Sequence, residues 1–468
     1  MPKGKKKKIS TPKGKKKLSF AEKVGIVGGI LGIISVVLII ILNLGNIWDR
    51  FNPPIIESTG DLSQPQIIKL PKHNYKIANQ YLDDHDYPTA LEYYQRELDG
   101  LRKIDTANIA ILQNNIGVLN FKLGMYSKAI ESYRNALSLY QTKWKTKKNK
   151  QCIAAISNNM ALVYYELGKY GKALELSQSA LKEQFDPLDM AKTYRIISMV
   201  YAERGDYKEA KESLDNATVL DEKKASENDV DTAAAYSDKA LLYRDIGNYD
   251  DALNLFEKAL EIEESELDSK DPSLAATYNS MALTYSELYG SDRGSERDYD
   301  KAMDLHNKAL AIYEKVLGYE HTRTAGVYHD KGITLYRRGE DDEAFELYDK
   351  ALAIYEKAFD DEHPKIAGVY HDKALILYRQ GKYDESLELY KKALAIREDV
   401  LASTHPSIAQ CYYNMGTAYF VQGEVEKALD SFDRALEAAE LYEDSDSKEH
   451  PLKKNISDAI EVVKSYIQ

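Results

Sequence analysis

Apolar residues recur at helical spacing through most of the chain. In the stretch 363–404, Leu387, Tyr390 and Leu394 follow one another at intervals of three and four residues, with charged residues between them. Such spacing is typical of amphipathic helices, which bury one face and expose the other. Gly381 separates this pattern from a similar one before it, and a glycine ends a helix and permits a tight reversal. The pattern therefore predicts two helices joined by a short turn.

The predicted helical pair is repeated along the chain. Residues 321–362 and 363–404 are identical at 23 of 42 positions, and the heptapeptide AGVYHDK occurs in both. Nine units can be aligned in this way, with starts near residues 67, 106, 150, 187, 229, 271, 321, 363 and 405. Seven of them place a glycine at the turn, namely Gly124, Gly168, Gly205, Gly247, Gly339, Gly381 and Gly423. A fixed period of this length is typical of stacked repeats, in which each unit buries its apolar face against its neighbours.

Two further features mark the helices of the units. A proline follows His363, His405 and Asp271, and the first turn of a helix tolerates its missing N–H. Small residues lie near the centres of the first helices, where they let the paired helix approach closely: Gly117, Ala161, Ser198, Ala240, Ala282, Gly332, Ala374 and Gly416. An insertion at 289–297 is expected to lie between the two helices of its unit.

The segment NMGTAYFVQGEVEKALDSFDRAL (414–436) resembles the tetratricopeptide (TPR) pattern L-G-x2-Y followed by A-x3-F. The matching residues are Met415, Gly416, Tyr419, Ala428 and Phe432. The 42-residue period and the His-Pro starts are similar to the longer repeats of kinesin light chain. The leading Trp of the pattern is missing, and no heptad coiled coil precedes the repeats. The resemblance therefore concerns the repeat fold and not a kinesin subunit.

The resemblance implies an all-α fold. We expect a right-handed, TPR-type superhelical solenoid of about nine helical hairpins over residues 67–454, whose first helices line a concave surface. The last segment, NISDAIEVVKSYIQ (455–468), places four apolar residues on one face of a helix. We expect it to form a capping helix over the last hairpin.

Before the repeats, residues 24–44 form a run of 21 residues without a charge, rich in Ile, Val, Leu and Gly. As a helix they would span roughly 31 Å, close to the ~30 Å hydrocarbon core of a bilayer. A buried core helix and a cleavable signal peptide are the alternatives, but the run is longer than a signal-peptide core and no A-x-A-like site follows it. The sequence therefore predicts a transmembrane helix at 24–48, between a lysine-rich tail at 1–23 and a linker at 49–66.

The charge bias around this segment predicts its orientation. Residues 1–23 contain ten Lys and one Glu, and the positive-inside rule places such a tail in the cytoplasm. The sequence thus predicts a single-pass membrane protein with its repeats on the extracytoplasmic side. A mitochondrial outer-membrane anchor with cytosolic repeats is the alternative. The small-xxx-small spacing of Gly25, Gly28, Gly29 and Gly32 would also allow a homodimer through the span.

Composition argues against several functional classes. The net charge is −12, and the chain beyond the lysine-rich tail carries −21, so we expect no nucleic-acid partner. Cys152 and Cys411 have neither the number nor the spacing of a disulfide framework or a zinc site. Nothing resembles a nucleophile-base motif or a phosphate-binding loop. We therefore expect no enzyme and no bound cofactor or metal.

Candidate binding residues follow from the concave surface that the resemblance implies. The inward positions of units 321 and 363 hold His329, Tyr336 and Arg337, and His371, Tyr378 and Arg379, while Asn114, Asn158 and Asn279 align with the histidines. Arg binds carboxylates with paired donors, which would suit an acidic segment of a partner, and Asn can pair with an extended backbone. Three alternatives to a binding role stay open. Tandem duplication would copy these residues whether or not they bind a partner, and the His-Asp and Tyr-Arg pairs would satisfy one another. The asparagines would form hydrogen bonds between helices. A metal site at His329 and His371 lacks a third ligand.

The sequence therefore predicts a membrane-anchored scaffold that binds partner proteins or extended peptides in a concave groove to assemble a complex. A chaperone-like client receptor, or a regulatory subunit of a membrane-associated machinery, is the alternative. Both hypotheses place the partner on the first helices of the units.

Overall fold

The computed structural model describes residues 73–467 except 101–105, 144–146, 185, 222–229, 246, 292, 402–404 and 441–450. Within these ranges the chain forms 19 α-helices and no β-strand. Eighteen of the helices form nine consecutive hairpins, and one more helix follows them. The predicted all-α repeat fold is confirmed.

Each hairpin consists of a first and a second helix. The first helices are α1 (His73–Asp83), α3 (Thr106–Lys122), α5 (Lys147–Glu166), α7 (Pro187–Arg204), α9 (Val230–Asp245), α11 (Pro272–Tyr289), α13 (Thr322–Arg338), α15 (Pro364–Arg379) and α17 (Pro406–Val421). The second helices are α2 (Tyr87–Gly100), α4 (Tyr126–Lys143), α6 (Tyr170–Glu183), α8 (Tyr207–Asp221), α10 (Tyr249–Glu266), α12 (Glu296–Val316), α14 (Asp341–Ala358), α16 (Tyr383–Val400) and α18 (Val425–Glu440). The last helix is α19 (Pro451–Ile467). Each helix packs most closely on its hairpin partner and then on the next helix, as in a solenoid.

The turns within the hairpins depend on glycine. All seven glycines predicted at the turns have a positive φ, between 65° for Gly168 and 94° for Gly339. This left-handed conformation is free of steric cost only for glycine. In the first hairpin the turn uses His85, a residue with a side chain and a φ of 59°. The insertion at 289–297 lies between α11 and α12, as expected.

Small residues let the paired helices approach closely. A Cβ atom added at Gly332 would lie 2.6 Å from the ring of Tyr348, and one added at Gly416 would lie 2.7 Å from the ring of Phe432. Both distances are shorter than van der Waals contact allows, so each glycine lets an aromatic ring pack directly on the helix backbone. Ala374 occupies the same position in the next unit and is fully buried.

Side-chain caps begin several first helices. Nδ1 of His321, His363 and His405 accepts a hydrogen bond from the backbone N–H two residues later, each at 3.1 Å. Asp271 caps α11 in the same way and accepts from the N–H of Ser273 at 2.8 Å. This is the N-cap interaction that satisfies an otherwise unpaired backbone donor. A proline follows two of the histidines and Asp271 in the first turn, as the sequence predicts.

The same three histidines also contact a distant part of the chain. Each lies against the turn of the unit five before its own, and its Nε2 donates to the carbonyl oxygen of a residue in or near the last turn of that unit's first helix. The pairs are His321 with Lys122 (3.0 Å), His363 with Glu166 (2.7 Å) and His405 with Glu203. We call this line of contacts the seam.

Other residues strengthen the seam. The hydroxyls of Tyr126 and Thr322 lie 3.0 Å apart, and Phe359 stacks on Tyr126 with ring centroids 5.8 Å apart. Lys365 Nζ lies 3.3 Å from a carboxylate oxygen of Glu166. These contacts join residues 196 to 233 positions apart. The seam therefore connects successive turns of the superhelix, whereas a simple solenoid has contacts between neighbours only.

The last helix packs on the ninth hairpin. α19 begins at Pro451, earlier than the expected 455, and contacts α18. Ile456 is fully buried and Val463 is 1% exposed. The apolar face of α19 thus covers the end of the core.

The predicted membrane localisation is wrong. In the part of the chain that the structure describes, no helix combines the length and the apolar character that a bilayer span requires. α12 has 21 residues but carries charges along its length, and the more apolar α17 has only 16, where about 20 are needed. A single-pass protein, including the mitochondrial alternative, is therefore not supported. The tail 1–23, the proposed span 24–48 with its four glycines, and the linker 49–66 lie outside the described residues.

Candidate functional site

The inward positions of the first helices differ in exposure along the chain. Leu162 and Leu283, which align with Leu375, are at most 4% exposed. Leu375 itself and Ile333 are half-buried, and Val421 near the end of α17 is exposed. The inner positions are thus buried as far as α11 and reach solvent in α13, α15 and α17.

Polar residues join neighbouring first helices. The residue that aligns with His329 in one unit contacts the residue that aligns with Asp372 in the next unit. Five such rungs lie in the described residues: Asn114 with Asn159 (3.0 Å), Arg195 with Asp238 (3.4 Å), Asn279 with Asp330 (2.6 Å), His329 with Asp372 (2.7 Å) and His371 with Asn414 (3.0 Å). We call this row the polar ladder. Because a buried polar group without a partner is costly, the ladder fixes the register between units.

One aspartate of the polar ladder receives two imidazoles. His329 Nε2 donates to Asp372 Oδ2 at 2.7 Å, and His371 Nδ1 donates to Asp372 Oδ1 at 3.0 Å. His371 Nε2 accepts from the amide of Asn414, which fixes its tautomer. Burial alone would raise the pKa of Asp372, but the hydrogen bonds from the two histidines outweigh burial and hold this pKa below its usual range. The repeated AGVYHDK thus places the histidine of one copy on the aspartate of the next.

The aspartate of the first copy has a different environment. Asp330 accepts from the amide of Asn279, and burial raises its pKa. Oδ1 of Asn279 lies 3.0 Å from Nδ1 of His306. Nε2 of His306 lies 3.1 Å from the hydroxyl of Thr334. His306 belongs to the second helix α12, so the search of inward positions on first helices could not find it.

Five of the nine candidate residues lie in the interior. Asn114, Asn158, Asn279, His329 and His371 are at most 8% exposed. Four belong to the polar ladder, and Asn158 donates to a threonine hydroxyl at 2.7 Å. These contacts are hydrogen bonds between helices, the alternative to partner binding that the sequence left open for the asparagines.

Sequence reasoning missed one charged rung. Arg195 and Asp238 are 1% and 7% exposed and form an ion pair between α7 and α9. Arg195 does not repeat in other units, so identity between units did not reveal this ion pair. Their alignment with His329 and Asp372 would have done so, because it places opposite charges at facing positions.

The other four candidates lie nearer the surface. Arg379 packs over the ring of Tyr336, with 3.9 Å between Cζ and the ring centroid. Arg337 Nη1 donates to the hydroxyl of Ser286 at 2.8 Å. Burial and the neighbouring tyrosines raise the pKa of Tyr378, so its hydroxyl stays protonated. These side chains combine aromatic surface with positive charge.

A cavity of about 80 Å³ lies beside them. Ile333, Tyr336, Arg337 and Leu375 line one wall, and Glu203 from α7 lines another. Pockets for small molecules usually measure a few hundred Å³ or more. The cavity therefore suits one side chain of a partner better than a free small molecule.

The site offers no evident metal ligands. Across the described segments, no group of three or more His, Cys, Asp or Glu side chains is arranged to hold a metal ion. Cys152 and Cys411 are free thiols, the first half-buried and the second buried. The inner surface thus presents hydrogen bonds, charge and aromatic rings.

Comparison with solved structures gives several similar chains. BtubC from P. vanneervenii is 20% identical, with 50% of this chain and 90% of that chain covered and a TM-score of 0.35. A putative kinesin light chain from Podosopora anserina with nearly identical TPR-like repeats is 25% identical, with 45% and 96% covered and a TM-score of 0.35. A Rap protein complexed with competence and sporulation factor is 18% identical, with 66% and 87% covered and a TM-score of 0.49. A search of curated protein sequences gives no significant match.

The sequence model of the tetratricopeptide repeat family matches most of the chain. The matches cover residues 71–142, 152–223, 189–264, 231–293, 287–357 and 365–440. Together they span the nine hairpins, and the turn glycines and close helix packing give these matches a physical basis. The chain therefore belongs to the tetratricopeptide repeat family.

Proposed function

We propose that this chain is a scaffold that binds a partner protein or an extended peptide on the inner face of α13, α15 and α17. Proteins of the tetratricopeptide repeat family bind other proteins or peptides. The observation that carries the proposal is a row of aromatic residues, Tyr336, Tyr378 and Phe420, at the same position of three successive units. All three are half-buried, so each leaves part of its ring accessible.

Aromatic residues held in this way are suited to binding. They bury a large area with few rotatable bonds, and they are enriched among the residues that dominate binding energy. The guanidinium of Arg379 lies over the ring of Tyr336 and restricts its motion. An anchor that is already ordered loses less conformational entropy when the partner binds.

Charge has a secondary role in this proposal. The guanidinium of Arg379 is paired with Asp341, so much of its charge is already compensated. Arg337 borders the cavity and contacts Ser286. An acidic residue of the partner would reach the surface beside Arg337, but we expect apolar and aromatic contact to supply most of the affinity.

Site-specific photocrosslinking tests where the partner lies. A benzophenone amino acid at Tyr378 should cross-link one discrete partner in extracts of the source cells. The same group at Glu388, which is 70% exposed on the second helix α16, should not cross-link that partner. Equal cross-linking of the same protein at both positions would contradict the proposed surface.

Affinity measurements then test the role of the row. Tyr378→Ala should weaken binding of the cross-linked partner by at least about ten-fold, as expected for a central aromatic anchor. Tyr319→Ala removes a tyrosine that is 67% exposed after α12 and should leave the affinity unchanged. Circular dichroism of both variants checks that the helices are intact. Unchanged affinity for Tyr378→Ala would rule out the row as the binding site.

A further inference from the structure

The seam joins parts of the solenoid that need not touch for each hairpin to fold. We propose that the seam is a latch, which holds the inner faces of α5, α7, α9 and α11 closed and exposes them to solvent when it opens. The seam histidines begin α13, α15 and α17, but this inference does not depend on the binding proposed above, since its test measures opening of the seam and not binding of a partner.

The contacts of the seam can separate without disrupting a hairpin. They include three histidine-carbonyl hydrogen bonds, the hydroxyl pair Tyr126 and Thr322, and the ion pairs of Lys365 with Glu166 and of Lys169 with Asp360. Apolar contact includes the stacking of Phe359 on Tyr126. Polar groups that leave such contacts are satisfied by water, so their net contribution to stability is small. The hairpins, in contrast, are held by buried apolar residues between paired helices.

The inner positions behind the seam are unusually polar. Glu203, Asp245 and Glu287 align with one another at the ends of α7, α9 and α11, and all three side chains are buried. In the closed state, Asp245 Oδ2 and Asn158 Oδ1 have no hydrogen-bond partner. Burial of such groups is costly, and a permanently closed interior would favour apolar residues at these positions. Opening would expose these groups to water. Their hydration would offset the loss of the seam contacts.

Two turn glycines provide a matched test of the latch. A Cβ atom at Gly168 would lie 2.5 Å from Cδ of Pro364, across the seam. Gly381 has the same left-handed backbone, with a φ of 78° compared with 65°, but nothing lies within 4 Å of an added Cβ. Alanine strains the backbone at both positions. Only Gly168→Ala should also push the seam apart.

A buried thiol can report the opening. Thr322 is a seam residue and is 3% exposed, so Thr322→Cys places a thiol within the seam with little change in volume. Its rate of reaction with a bulky maleimide is measured in the full chain, alone and combined with Gly168→Ala or Gly381→Ala. Chains without the added cysteine give the background from Cys152 and Cys411. Urea denaturation gives the free energy of unfolding of each variant and hence the labelling rate that global unfolding alone would cause. This rate is subtracted from the measured labelling rate.

The latch predicts different labelling of the two glycine variants. Gly168→Ala should raise the corrected labelling rate at least about ten-fold above that of Gly381→Ala, which corresponds to a shift of about 1.4 kcal/mol in the opening equilibrium. Equal corrected rates would show that the seam is a static contact and would overturn the proposal.

A cross-link provides the opposite perturbation. Lys169 Nζ and Asp360 Oδ2 lie 3.6 Å apart across the seam, and both side chains are accessible. A short bis-maleimide between Lys169→Cys and Asp360→Cys should return the labelling of the Gly168→Ala chain to the level of Gly381→Ala, and unchanged labelling would contradict the latch. If Gly168→Ala does not fold, His363→Gln replaces it. Ser295→Ala, which removes a cap away from the seam, is then the control.

Discussion

Acid should weaken the seam, because its histidines are held in the neutral form. In His321, His363 and His405, one ring nitrogen accepts from a backbone N–H and the other donates to a carbonyl, which only a neutral imidazole can do. Burial lowers the pKa of each from 6.5 to about 3. For His363, the charge of Lys365 lowers the pKa further, and the hydrogen bond to the carbonyl of Glu166 opposes this effect.

The direction and size of the effect follow from proton binding. Between pH 6.5 and about 3, the unfolded chain binds protons at these histidines and the folded chain does not. The free energy of unfolding therefore falls as the pH falls through this range, and the contribution is complete above pH 6.5. Since one pKa unit corresponds to about 1.36 kcal/mol, each seam histidine should remove about 2 kcal/mol between pH 6.5 and pH 5.

Urea unfolding of His363→Gln isolates one of these contributions. At pH 7 the variant should be less stable than the parent by about 1–3 kcal/mol, because it loses a cap and leaves a buried carbonyl unpaired. At pH 5 the difference should shrink by about 2 kcal/mol, since the variant has one fewer group to protonate on unfolding. Carboxylates titrate equally in both chains and cancel in the comparison.

A cap that does not titrate is the control. Ser295 begins α12 with a capping box, so Ser295→Ala should lower stability by about 1 kcal/mol at either pH. The difference between parent and Ser295→Ala should therefore be the same at pH 7 and pH 5. If the difference in free energy of unfolding between parent and His363→Gln is also the same at pH 7 and pH 5, His363 is not held neutral and the proposed tautomer is wrong.

Two further predictions concern the packing of the units. Gly332→Ala should destabilise the chain by about 1 kcal/mol in thermal unfolding, because crowding against Tyr348 costs roughly 2 kcal/mol and the higher helix propensity of alanine returns roughly 1. Adding Tyr348→Leu should remove the crowding term, and an unchanged midpoint for Gly332→Ala alone would refute the close approach. Asp372→Asn should lower the urea stability at pH 7 by about 1–3 kcal/mol, because one imidazole N–H then faces the amide NH2 without an acceptor and the other loses a charged acceptor, and unchanged stability would contradict the role of the polar ladder.

The hairpins could be predicted because their determinants are local. The turn position of Gly168 and Gly339 follows from where the helical pattern is interrupted, and both adopt the left-handed backbone that only glycine adopts easily. The close approach at Gly332 follows from a small residue near the centre of a first helix. Each of these conclusions needs only one unit of the repeat, and seven of the nine units place a glycine at the turn.

The polar ladder could be predicted only in part, because it relates two units. Comparison of AGVYHDK with its copy aligned His329 with His371, which suggested two equivalent groups that face a ligand. The structure instead pairs His329 with Asp372 of the next copy. Residues that contact one another across a repeat interface are complementary and not identical, so a search for identity does not reveal them.

The seam could not be predicted, because it depends on a small rotation that accumulates over five units. In the sequence, His363 and His405 were read only as residues before a proline in the first turn. Their second role requires that a carbonyl of a distant unit comes within hydrogen-bond distance. The predicted localisation is wrong for a different reason: it rests on the hydropathy of residues 24–44 and the lysine-rich tail before them, and the described helices give it no support.

The seam also changes how the solenoid should fold and fail. In a one-dimensional solenoid each unit depends only on its neighbours, so damage stays local. Here His405 holds the end of α7, and loss of the last unit would also release the turn after Glu203. Contacts between residues 196 to 199 positions apart close a large loop, which costs entropy that hairpin formation does not. The hairpins should therefore form first and the seam last. A contact that forms last, and is not needed by any hairpin, can open while the hairpins persist, which is the property that a latch requires.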